Sequence, residues 1–198
     1  AHRPHRVVFR AAQAELGRPH QLQRGGRSQA ALARHAEIRH LRTTNRRRGQ
    51  PMKFASLGSG SEGNSLLISA ASGTTHTHLM LDCGFGLKEA ERRLARAGIA
   101  PQDLQGILVT HEHSDHVGGV FRLARAHQIP VYLTAGTLRA SPQAAGAEAL
   151  VRVIDSHEAF DLPGLRVEPF PVPHDASEPV QFVLDDGQSR LGVLTDIG

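Results

Sequence analysis

Thr110-His111-Glu112-His113-Ser114-Asp115-His116 places three His and one Asp in six consecutive positions, between Ile107-Leu108-Val109 and Val117-Gly118-Gly119. The apolar run reads as a buried strand and the glycines as a helix start. The cluster therefore stands at a strand-to-helix corner, where α/β folds gather their sites. His111 and His113 are two apart, so on extended backbone both side chains leave on the same side and can hold one ion. Asp115 and His116 follow as the chain turns, aimed at a neighbouring point. Neutral imidazole and carboxylate suit zinc, and imidazole also suits iron and nickel. Four such groups beside an apolar strand are costly unless something satisfies them. A solvated His-rich loop is the plainer alternative, and with 13 His in the chain histidine alone signifies little. The ordered ligand types and their flanks favour a metal site.

Outward from this corner, short apolar runs bounded by Gly and Ser read as strands. They are Lys53–Leu57, Leu66–Ile68, Leu79–Leu81 and Ile107–Val109, then Val131–Leu133 and Val151–Ile154. Leu165–Phe170, Val180–Leu184 and Leu191–Leu194 follow, with Asp185-Asp186-Gly187 as a hairpin turn. Leu87, Ala90, Leu94 and Ala97 fall at helical spacing, as do Val117, Val120, Phe121 and Ala124. Ser141-Pro142 reads as the cap and first position of a helix running to about Leu150. Strands and helices alternate first and strands dominate later, which predicts a layered α/β domain.

The charge is divided sharply. Residues 1–51 hold twelve Arg and two acids, a net of +10, whereas residues 52–198 hold eleven basic and seventeen acidic residues, a net of −6. The basic balance of the whole chain therefore says nothing about the partner of the domain that starts at Met52. Residues 1–51 read as a basic arm, as a transit peptide poor in Ser, or as upstream sequence translated from a misplaced start, the last being favoured. A single Cys83 excludes an intrachain disulfide framework. No apolar run approaches the length of a membrane span, and the expectation is a soluble, cytoplasmic domain without membrane contact.

Gly58, Gly60 and Gly63 spell G-x-G-x-x-G after a strand, with Asp82 nineteen residues beyond Gly63. A dinucleotide would need a helix N-terminus directly after the third glycine to receive its pyrophosphate. Asn64–Ala70 is too short before Ser72-Gly73, and a strand entering a hairpin fits it better.

His111-x-His113-x-Asp115-His116 resembles the H-x-H-x-D-H signature of the metallo-β-lactamase superfamily, metal-dependent hydrolases with an αββα sandwich. Pro171-Val-Pro-His174-Asp175, Leu194-Thr-Asp196 and Leu81-Asp82-Cys-Gly are similar to its other motifs. The resemblance implies His111, His113 and His174 on one metal, Asp115 and His116 on a second, Asp196 bridging, and Asp82 supporting the ligands from behind. Two divalent ions, zinc or manganese, would hold a hydroxide between them, with Asp115 also orienting it and passing a proton to the leaving group. Met52-Lys-Phe-Ala-Ser-Leu-Gly-Ser-Gly-Ser-Glu-Gly-Asn-Ser65, with Thr-His-Glu-His-Ser-Asp-His and Pro-His-Asp-Ala, is similar to the YycJ/WalJ-like branch, linked to DNA exonuclease activity. The resemblance thus implies a phosphodiesterase, foremost a 5′-3′ DNA exonuclease, with DNA as partner. A thioester or lactam hydrolase of the same fold, a non-catalytic metal-binding fragment and a basic-arm binding module are the alternatives. The chain stops after the Asp196 motif, where the family continues with a further His ligand and the rest of its second half. That predicts a fragment whose second half is truncated, and it puts the completeness of the second site in question.

Overall fold

The computed structural model describes residues 12–15 and 52–198. A six-stranded sheet is built from β2 (Lys53–Gly58), β3 (Ser65–Ser72), β4 (Thr75–Leu81), β5 (Leu104–Leu108), β6 (Val131–Thr134) and β7 (Val151–Ile154), in that order. β2, β3 and β4 form an antiparallel meander, and β4 through β7 run parallel. The second sheet has the order β1 (Ala12–Glu15), β11 (Ser189–Val193), β10 (Val180–Asp185), β9 (Leu165–Pro171), β8 (Phe160–Leu162), all antiparallel.

The six-stranded sheet is buried on both faces because its strands carry apolar residues at consecutive positions, and the alternation of a strand divides them. Leu67, Met80, Ile107, Val131 and Leu133 face one core; Leu66, Ile68, Leu79, Leu81 and Leu108 face the other. The first core is closed by α1 (Leu87–Arg96), α2 (Ser114–Val117) and α3 (Val120–His127), through Ala90, Leu94, Val117, Val120, Phe121, Leu123 and Ala124. The second lies between the sheets, where Leu165, Val167, Val180, Phe182, Leu184, Leu191 and Val193 meet it. Among the described residues the layers are therefore helix, sheet, sheet.

The strands expected from the sequence are present, and the chain after Gly63 runs straight into β3, so no helix begins there to cradle a pyrophosphate. Three local readings need correction. The helix expected from Ser141 to Leu150 is two 3-10 turns, Pro142–Ala144 and Glu148–Leu150. Ala145 between them is extended (ψ 129°) and Gly146 takes φ 76°, neither compatible with a continuous helix. A helix forms earlier instead, α4 (Ala135–Arg139), where the Thr134 hydroxyl accepts the Thr137 amide hydrogen. The helix expected through Val117–Ala124 is two helices, α2 and α3, parted at Gly118-Gly119. β8 was not expected at all: three residues give too little periodicity to detect. The reading of residues 1–51 as a basic arm or upstream sequence lies outside the described residues, except for Ala12–Glu15, whose backbone pairs with β11.

Candidate metal centre

The histidine cluster lies beyond the C-terminal ends of the parallel strands β4 and β5, where loops from the second sheet close over it. Asp82 leaves the end of β4 at φ 56° and is fully buried. Its Oδ1 accepts the Thr110 amide hydrogen (2.8 Å), and its Oδ2 accepts the Thr110 hydroxyl (2.8 Å) and lies 2.8 Å from His116 Nδ1. With Nδ1 occupied by that carboxylate, His116 presents Nε2 to the cluster. The α2 turn carrying Asp115 and His116 is clamped from two sides. Asn64 and Cys83 donate their amide hydrogens to the carbonyls of Asp115 and His116, both at 2.7 Å. Gly84 is packed so closely beneath that a Cβ there would overlap the Asp115 carbonyl.

Within this frame His111, His113 and His174 bring one ring nitrogen each into a group spanning less than 4.8 Å, and His111, His116 and Asp196 form a second such group. The His111 ring centroid is 4.6 Å from that of His113, 4.2 Å from His116 and 4.8 Å from His174. His174 arrives from the loop after β9, with Nε2 3.3 Å from His113 Nδ1. Asp196, just past β11 at φ 27°, has Oδ2 2.6 Å from His116 Nε2 and 3.9 Å from His111 Nε2. Among the described residues, two of the three non-glycine residues at positive φ are thus Asp82 and Asp196, and aspartate tolerates that conformation better than most.

Asp115 is the predicted ligand that falls outside both groups, and Asp82, predicted to support the ligands from behind, lies outside them as well. Asp115 Oδ2 is 3.6 Å from His116 Nε2 and accepts a hydrogen bond from Asn64 Nδ2 (2.9 Å). Asn64 is a site residue that sequence reasoning did not find. It is fully buried, its Nδ2 is 3.1 Å from His116 Nε2, and its Oδ1 accepts the Gly60 amide hydrogen (2.9 Å). A polar residue ending a glycine-rich loop and entering an apolar strand was the available signal.

The electrostatics divide the imidazoles. Burial, helped by the neighbouring His116, lowers His111 to about 4, so it is neutral near pH 7. Burial would also lower His116, but Asp82, Asp196 and Asp115 outweigh it and push it up to about 10. The hydrogen bond from His116 holds the Asp196 carboxyl below its usual range. His111 Nε2 is buried, only 1% of the residue being exposed, and has no hydrogen-bond partner. A buried, neutral, unpartnered imidazole nitrogen amid three other imidazoles and a carboxylate is what a divalent cation requires, and each ligand's far nitrogen has an orienting partner available. Thr110 Oγ1 serves His111 (2.9 Å), Asp82 serves His116, the Asp175 carbonyl serves His113 (3.2 Å) and the Gly198 carbonyl serves His174 (3.3 Å). The donor set fits.

Comparison with known proteins agrees with this arrangement. The family model of the metallo-beta-lactamase superfamily matches residues 58–198. Exodeoxyribonuclease YycJ of Bacillus anthracis is 35% identical over 155 residues, covering 74% of this chain and 55% of that protein. Exodeoxyribonuclease WalJ of Streptococcus pneumoniae serotype 2 is likewise 35% identical over 155 residues, covering 54% of its length. The chain thus spans about half the length of these relatives. Among solved structures, Rm3 metallo-beta-lactamase superimposes with a TM-score of 0.53 at 19% identity, over 70% of this chain and 56% of that one. The subclass B3 metallo-beta-lactamase MEM-A1, from a soil metagenome library, gives 0.50 at 21% identity, over 64% and 58%. At these identities the structural likeness speaks for the fold alone. Motif, donor geometry, layered fold and family model converge, and the chain belongs to the metallo-beta-lactamase superfamily.

Proposed function

We propose that this chain carries the metal-binding part of a dinuclear phosphodiesterase that degrades DNA from an end, in the 5′-3′ direction. The observation that carries the hydrolase reading is the unpartnered, buried His111 Nε2 at the junction of two donor groups. The DNA substrate rests on the identity to the two exodeoxyribonucleases, since residues 52–198 with a net charge of −6 offer little basic surface for a phosphate backbone.

In this reading His111, His113 and His174 hold one divalent ion, zinc or manganese. His116 and Asp196 would hold the second, with Asp115 beside them. A pair of such ions supplies a nucleophilic water at neutral pH and stabilises the charge of an in-line displacement at phosphorus. The chain's own residues do the rest. Asp82 fixes the His116 ring so that only Nε2 faces the centre. Asn64 restrains Asp115, whose carboxylate remains 28% exposed and can meet the attacking water and the leaving oxygen. The Asp115 carboxylate would orient the attacking water, take the proton it releases as the new P–O bond forms, and pass that proton to the oxygen that departs.

End-labelled duplex DNA incubated with the protein and Mn²⁺ or Zn²⁺ tests this. Directional loss of label is expected, with Asp115→Ala slower by at least about 100-fold, the lower range for loss of a general acid–base group. A folded protein that binds two metal ions and leaves DNA intact would refute the nuclease reading and favour a thioester or lactam substrate.

A further inference from the structure

His111 and His113 lie on one side of an extended segment, and Glu112 between them extends elsewhere, to the loop that carries His174. Its Oε1 accepts the Ser177 amide hydrogen at 2.6 Å, three residues beyond His174. The base of this loop is closed by its own chain: Val172 donates to the Pro179 carbonyl (3.3 Å), and Val180 donates to Thr110 (2.9 Å). Its far side is fixed to α4, where Glu178 Oε2 accepts the Gly136 amide hydrogen (2.7 Å) and the Glu178 carbonyl accepts the Thr134 hydroxyl (2.9 Å). Between these anchors Pro173, Asp175 and Ser177 are exposed, and the Asp175 side chain is 84% accessible. Apart from the imidazole contacts themselves, the Glu112 carboxylate is the tie between this stretch and the His111–His113 turn. Its second oxygen, Oε2, is buried without a partner. A carboxylate so placed bears a desolvation cost for its charge-assisted bonding to Ser177, and that bonding, together with the Gly198 amide hydrogen donated to the Pro173 carbonyl (2.9 Å), holds the stretch that carries His174.

We propose that Glu112 is a positioning residue that ties the His174 loop to the His111–His113 turn, so that the three imidazoles converge on one metal ion. This rests on the metal-centre reading above, and it adds a residue that touches neither metal nor substrate. Truncation at Glu112 releases Ser177, and His174 then samples positions away from His111 and His113. Binding of the ion has to collect it again, and affinity falls by the fraction of time the ligand is in place.

Cobalt(II) titration of the whole chain, followed by visible absorption, tests the idea without any substrate. Glu112→Ala is expected to bind cobalt at least about 10-fold more weakly, the lower range for loss of an orienting partner, with altered d–d bands from a displaced imidazole. Glu112→Gln keeps a carbonyl acceptor for Ser177 and is expected to restore the wild-type spectrum, while Glu158→Ala, at an exposed carboxylate in the loop between β7 and β8, leaves it unchanged. Hydrogen exchange at the Ser177 amide, measured without metal, is expected to quicken at least about 10-fold in Glu112→Ala. A folded Glu112→Ala protein with wild-type cobalt affinity, spectrum and exchange would overturn the proposal. Should that variant not fold, Ser177→Pro removes the donor instead, and a wild-type spectrum there would overturn it equally. Failure of the wild type itself to take up cobalt would refute the metal-centre reading instead.

Discussion

Asp82 shows how a single buried carboxylate organises the centre, because it accepts from both Thr110 groups and from His116 with no exposure to water. Replacing it by Ala leaves a buried imidazole, pushed up to about 10 in part by Asp82 itself, without its main counter-charge. The expected cost is about 3–5 kcal/mol of stability in urea unfolding, with Asp82→Asn falling between it and wild type. Cys83, the next residue, is enclosed among apolar side chains, and burial pushes its thiol from an ordinary value of 9.0 up to about 12. A thiol-reactive disulfide reagent at pH 8 is therefore expected to label it only on unfolding. Because its folded value lies above its unfolded one, the thiol's contribution to stability is complete below pH 9. That contribution is expected to be lost as pH rises from about 9 to 12, and comparison of wild type with Cys83→Ala across that range checks the sign. The candidate ligands His111, His113, Asp115 and His116 were legible in the sequence because six adjacent positions carry them, whereas His174 and Asp196 were named only by the family resemblance. Asn64 and Glu112 were not, since their roles depend on residues 51 and 65 positions away that only folding brings near.

At the scale of elements, the centre is held by close approach between the segment after β4 and the α2–α3 corner. Gly84 lies against the Asp115 carbonyl, and Gly119 lies against the Phe85 carbonyl, each too close for a Cβ. Gly119 also donates its amide hydrogen to Cys83 (2.7 Å), which ties the two segments in register. Gly84→Ala must therefore force backbone apart beneath two site residues. It is expected to cost about 3 kcal/mol or more in thermal or urea unfolding, the upper range for overpacking. Gly192→Ala in β11, where a Cβ meets nothing within 4 Å, is expected to change stability by less than about 0.5 kcal/mol. The strands were legible because two faces of apolar residues leave short continuous runs. The segment after β6 was misread because Ser141-Pro142 has the chemistry of a helix start. Gly146 at positive φ ends any helix there, and Thr134, capping through its hydroxyl, starts one earlier.

Across the whole molecule, the candidate ligands come from both sheets: His111, His113 and His116 from the end of β5 and α2, His174 from the β9–β10 loop, and Asp196 from the end of β11. A cation bound there would cross-link the sandwich at one end, beyond the apolar core between the sheets. Chelation is accordingly expected to lower the melting temperature. The loss corresponds to about 2.7 kcal/mol where free metal exceeds its dissociation constant 100-fold, and calorimetry with and without chelator reads it. A melting temperature indifferent to both metal and chelator would show that no ion bridges the sheets. Among the described residues no helix is long and apolar enough to cross a membrane. What the sequence determined by itself is local: the H-x-H-x-D-H run, the strand before it and the charge boundary near Met52 are each written in neighbouring residues. Spacing and composition did not show which distant side chains face that run: the family resemblance implied His174 and Asp196, and the tertiary structure brings them there together with Asn64 and Glu112. The packing of two sheets through Leu81, Leu108, Val180 and Phe182 sets the loops after β9 and β11 over the end of β5. Sequence spacing carries no record of that distance, because the hydrophobic effect that closes the sandwich is non-directional.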